Sequence, residues 1–147
     1  AGAMRVVQAD AGALTNFELS VLLRRHAQER AELEARLPLP GARRGASATA
    51  VTWQAQQEVA DQILAYLERT DCVCQTREAI SRFMADVKLF ELTPAEVMQL
   101  VNAAPRSRVE IYLIIEECEE RLSPEQVQEL LMHCRTLQAT EAVGTTP

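Results

Sequence analysis

The chain has 147 residues, 48% of them hydrophobic and 24% charged, with a formal net charge of −6. That size suits one domain with a modest core, and no apolar run approaches the ~18–20 residues of a membrane span. Residues 1–50 carry 7 Lys and Arg against 5 Asp and Glu, whereas residues 51–147 carry 8 against 16. This balance of −8 disfavours autonomous binding to DNA or RNA.

Ala1-Gly2-Ala3 ahead of Met4 reads as a cloning scar, so residues 1–3 are set aside and the native start is expected at Met4. The stretch Met4–Ala13 is short, and its β-branched pair Val6-Val7 offers a strand edge with nothing of its own to pair with. Thr15-Asn16-Phe17-Glu18 is a capping box, with Leu14 outside it to staple onto Leu19. The helix it opens is expected to reach about Arg36, before Pro38 and Pro40. Its first two turns hold Phe17, Leu19, Val21, Leu22 and Leu23, apolar on more than one side, and its later turns are charged. An open strand edge and an apolar helix end invite association. Residues 4–37 are therefore read as a partner-binding segment, with Val6, Val7, Leu14, Phe17, Val21 and Leu22 at the contact. Residues 38–50, with two prolines, two glycines and the pair Arg43-Arg44, read as a linker.

From Val51 the pattern is helical. Val59, Ile63, Tyr66 and Leu67 recur at helical spacing up to a break at Thr70-Asp71. Thr76 then caps a short helix with Ile80, Phe83, Met84 and Val87 inward. Three further capping boxes follow at Thr93–Glu96, Ser107–Glu110 and Ser123–Gln126. Leu92 and Leu122 sit outside the first and last of these, placed to staple onto Val97 and Val127. The expected fold is all-α, a five-helix bundle over residues 51–139 followed by a frayed tail at 140–147. Val59, Ile63, Phe83, Val97, Leu100, Ile111, Ile115 and Leu130 are expected in its core.

Little in the sequence suggests chemistry. Cys72-Val73-Cys74 is half of a zinc site whose other half is missing. Cys118 and Cys134 fall in apolar stripes and read as small core residues. Neither His26 nor His133 has a recognisable orienting group beside it. No catalytic, cofactor-binding or metal residue is assigned. The carboxylates Glu116, Glu117, Glu119 and Glu120 crowd what reads as the end of a helix, where the macrodipole disfavours anions by about 0.3–1 kcal/mol each. Arg121 offsets part of that. Two readings stand: a solvated helix end, or a secondary docking surface for a basic partner.

The words LTNFELSVLL, LTPAEVMQLVNAAP and VEIYLIIEECEERLSPEQVQELL together resemble the family of RNA polymerase III stalk subunits that also carries the name calcitonin gene-related peptide receptor component protein. Its members are counterparts of the fourth subunit of RNA polymerase II and of the equivalent stalk component in archaea. The resemblance spans about residues 4–139, and the linker and the Cys72–Cys74 turn depart from it. It implies a nuclear, non-catalytic subunit with no cofactor. In such a protein an N-terminal strand and helix join the larger stalk subunit in a heterodimer, and a helical domain of the helicase-and-RNase-D C-terminal (HRDC-like) type follows them. It further implies contacts with the polymerase core and initiation factors, and a second role at a peptide-hormone receptor that no feature of the sequence tests. The related helicase domain binds nucleic acid, but the acidic balance here points to protein contacts, with nucleic acid met weakly or indirectly. Other readings are a freestanding helical adaptor that self-associates through its first helix, or a small enzyme or metal protein built on the cysteines.

Overall fold

The computed structural model describes residues 12–36 and 48–138, with backbone alone for Glu34 and residues 48–53. Among the described residues there are seven α-helices and no strand. They are α1 (Asn16–Arg36), α2 (Ala48–Leu67), α3 (Arg77–Asp86), α4 (Pro94–Ala103), α5 (Arg108–Ile114), α6 (Cys118–Arg121) and α7 (Pro124–Thr136). Short 3-10 turns lie at Asp71–Cys74 and Val87–Phe90. Val6 and Val7, most of the linker and the tail fall outside these residues.

The caps form where the sequence places them. Thr93 accepts from the Glu96 amide while the Glu96 carboxylate takes the Thr93 amide at 2.7 Å, and Ser107–Glu110 and Ser123–Gln126 repeat the exchange. Thr76 caps α3 by accepting from the Ala79 amide. Each exchange satisfies helix-terminal amides that would otherwise lack partners. The first helix of the bundle begins at Ala48, inside the stretch read as linker.

The span read as one helix from Ser107 to Leu122 is two. α5 stops at Ile114, Ile115 is extended at φ −91° and ψ 122°, and Glu117 adopts a left-handed φ of 49°. A non-glycine residue there costs on the order of 1–3 kcal/mol, so other contacts must fix the turn. The Glu116 amide is held by the Glu96 carboxylate and the Glu116 carbonyl by Arg121, which removes both groups from a helical ladder. The bundle after the linker thus has six helices, not five.

The core is one cluster drawn from α3 to α7 and the turns between them. Phe83, Leu100, Ile111, Val127, Leu130, Cys134 and Leu137 are fully enclosed. α7 lies against α3, α5 and the Val87–Phe90 turn. Leu122 is buried, and Leu92 and Val97 pack half-buried on the cluster beside it. Val59 departs from expectation: it is 55% exposed. α2 lies along α1, and among its described side chains Ile63 is half-buried and only Leu67 is enclosed. The two classes of site separate experimentally. Ile111→Ala should lower stability to urea by about 2–5 kcal/mol, whereas Val59→Ala should stay within about 0.5 kcal/mol of wild type.

Candidate partner-binding surfaces

The start of α1 is tied down by its own cap and by a tether to the bundle. The Thr15 amide and hydroxyl both reach Glu18 Oε2 at 2.9 Å, and the Asn16 amide donates to Asn102 Oδ1, on α4, at 2.8 Å. Phe17 turns inward and packs half-buried on the core cluster. Ser20 is buried and its hydroxyl returns to the Phe17 carbonyl at 2.8 Å. Leu14, Val21 and Leu22 remain outside, at 53%, 41% and 38% exposure. Of the six residues read as contacts, three are thus free on the surface, Phe17 supports the fold, and Val6 and Val7 lie outside the described residues. Between the start of α1 and the α3–α4 corner runs an apolar groove of about 630 Å³, lined by Phe17, Met84, Leu92, Val97 and Met98 among others.

The second surface is the acidic one. Glu116, Glu117, Glu119 and Glu120 are all exposed. They do not crowd a helix C-terminus: Glu116 and Glu117 form the turn before α6, and Glu119 and Glu120 occupy its first turn. Arg121 does not neutralise them either. Its guanidinium grips Glu96 with two nitrogens, at 2.6 and 3.2 Å, and donates to the carbonyls of Glu116 and Glu91. Sequence reasoning saw Glu96 only as a cap and missed this pair. Twenty-five residues separate the partners, and no local spacing links them.

Glu96 is buried, and Arg121 above all, helped by Thr93 and the Glu116 amide, draws its pKa down to about 2 against the desolvation that opposes ionisation. A depressed carboxylate pKa stabilises the fold above the ordinary value near 4.5 and loses that contribution as the pH falls towards 2. The loss should amount to on the order of 3 kcal/mol. Urea melts across this acid range should show it for wild type and should flatten for Glu96→Gln, which should also be less stable at neutral pH.

Cys72, Cys118 and Cys134 are buried and Cys74 is exposed, all as free thiols. Burial raises the pKa of Cys118 and pushes that of Cys134 up to about 12, so neither is a thiolate at neutral pH. Cys72 instead donates to the Leu67 carbonyl at 3.4 Å. Among the described residues no group of histidines, cysteines and carboxylates could hold a metal, and no helix is long and apolar enough to cross a membrane. Alkylation of the folded protein should modify Cys74 alone, with the other three reacting only after denaturation; mass spectrometry reads the count.

The RNA polymerase Rpb4 family profile matches residues 13–138. The chain belongs to the RNA polymerase Rpb4 family. As a member of that family it is a non-catalytic subunit of a polymerase. The chain is 33% identical over 76 residues to DNA-directed RNA polymerase III subunit rpc9 of Dictyostelium discoideum, covering 48% of this chain and 58% of that protein. It is 31% identical over 134 residues to the subunit of the same name in Schizosaccharomyces pombe, covering 90% and 98%. With the RPC9 subunit of Saccharomyces cerevisiae it shares 35% identity over 54 residues, 37% of this chain and 34% of that one. The chain thus spans little more than half of the Dictyostelium relative but nearly all of the Schizosaccharomyces one.

Proposed function

We propose that this Rpb4-family chain is the smaller stalk subunit of RNA polymerase III and forms a heterodimer with the larger one. It acts in the nucleus and supports initiation through protein contacts with the polymerase core and initiation factors. The observation that carries this reading is the near-full-length match to a subunit named for RNA polymerase III. Residues 4–37 are the partner-binding part, and the helices from Ala48 onward form an HRDC-like bundle. Within the first part, Val21 and Leu22, with Leu14 just ahead of the helix, supply exposed apolar surface on an element whose other side is already docked. Val6 and Val7 supply backbone for the partner to pair with. The carboxylates at 116–120 form a secondary, salt-sensitive contact.

Co-expression with the larger stalk subunit tests the assignment. Val21→Asp combined with Leu22→Asp should abolish co-purification while leaving the helical circular dichroism unchanged, because both side chains are exposed. Phe17→Ala should weaken both binding and thermal stability, since Phe17 packs on the core. Wild-type affinity in the double variant would place the interface elsewhere. A stable homodimer that ignores the larger subunit would instead favour a freestanding adaptor.

A further inference from the structure

α5 turns only one face to the core. Ile111 and Ile115 are buried and Ile114 packs half-buried on the cluster, yet Val109, Tyr112 and Leu113 keep 67%, 38% and 81% of their surface. Positions i, i+3 and i+4 share a helix face, so these three form one apolar strip. At its C-terminal end the strip opens into a hollow of about 350 Å³, lined by Tyr112, Ile115, Cys118, Glu117, Glu119 and Glu120. None of these three glutamates is in a salt bridge among the described residues. The neighbouring cation, Arg121, is committed to Glu96 and two carbonyls.

We propose that this strip and hollow dock a basic amphipathic segment of a partner protein. An apolar side chain of that segment covers Leu113 and Val109, and a Lys or Arg enters the hollow. Its aliphatic stem lies on Tyr112 while its charged head meets the carboxylates. The Tyr112 ring adds a cation–π attraction. The chemistry decides against the other occupants. Phosphates would face three unneutralised carboxylates. A second copy related by a two-fold axis would bring like charges together. The inference rests on the acidic contact proposed above and gives it a ligand chemistry, but it does not require α1.

The test is a titration of the full-length, isotope-labelled chain followed by NMR. The probe is a synthetic helical peptide of about fourteen residues, with leucine at every third or fourth position and arginine and lysine elsewhere. Amides of residues 109–120 should move first. Leu113→Ser, and separately Glu117→Gln with Glu119→Gln, should each weaken binding by about tenfold. All these side chains are exposed, so thermal melts should confirm an intact fold. Equal binding by Leu113→Ser, or by a peptide with serine in place of leucine, would reduce the effect to charge alone and overturn the proposal. So would shifts spread over the whole acidic surface, tighter binding of a single-stranded RNA oligomer, or self-association through Leu113. The Val21→Asp, Leu22→Asp chain should bind the probe normally. Loss of probe binding in the α5 variants with the heterodimer intact supports this inference. Absence of probe binding in wild type overturns it without touching the stalk assignment.

Discussion

The Glu96 carboxylate ties together parts of the chain that otherwise have no reason to meet. It begins as the returning group of the α4 cap, bonded to the Thr93 amide at 2.7 Å. From there it reaches the Glu116 amide at 3.2 Å and the Arg121 guanidinium at 2.6 Å. An ion pair withdrawn from water repays its desolvation only when the geometry is good and the remaining polar groups are satisfied. Here the guanidinium is bidentate and its spare donors reach two backbone carbonyls. The contact acts on position as well as on stability: it holds the chain in the left-handed turn at Glu117 and starts α6 in a new direction. Without that turn, the three carboxylates of the hollow would continue along α5 instead of gathering beside Tyr112.

A second consequence concerns which parts of the molecule depend on which. The main cluster takes its enclosed side chains from α3 to α7, and α1 adds only the half-buried Phe17. Leu67 and Cys72 are buried outside that cluster, at the end of α2 and in the following turn, near α1. The first two helices are also linked by the 3.6 Å contact from Arg30 to Asp61. Surface ion pairs of this kind contribute little. Elements with few enclosed contacts lie at the low end of local stability, and elements that rearrange on binding are drawn from that end. α1 adds little to the main core, yet its start stays tied to α4 through the Asn16 amide and Asn102.

The sequence made the local chemistry of the fold readable and left its long-range geometry hidden. Thr15, Thr76, Thr93, Ser107 and Ser123 all cap the helices assigned to them, because a cap is decided within four residues. Ile111, Leu100 and Leu130 are enclosed as their spacing predicts. Val59 has the same spacing and is exposed, since periodicity identifies an apolar face but not what covers it. The break after Ile114 was invisible for a related reason. Ile111, Ile115, Cys118 and Leu122 would line one face of a straight helix just as well, and the side chains that interrupt it come from α4 and α6. The strip on α5 did leave a trace: Ile111-Tyr112-Leu113-Ile114-Ile115 is apolar all round, which a helix with one buried face does not require. The family resemblance fares better than the topology, because the words that carry it fall within the matched residues 13–138.

The two proposed surfaces hang on one rigid element. Asn102, near the end of α4, anchors the start of α1, while Glu96, near its beginning, anchors the turn that shapes the acidic hollow. Six residues of helix separate these anchors by roughly 9 Å along the axis. Leu100 and Val101 between them are almost fully enclosed, so α4 has little freedom to bend or shift. Ligands at the two surfaces would then be held in fixed relation to each other. Such an arrangement favours simultaneous engagement: once one contact forms, the second becomes an intramolecular event at high effective concentration. A subunit with no chemistry of its own can in this way bring two proteins together, each contact weak enough to release.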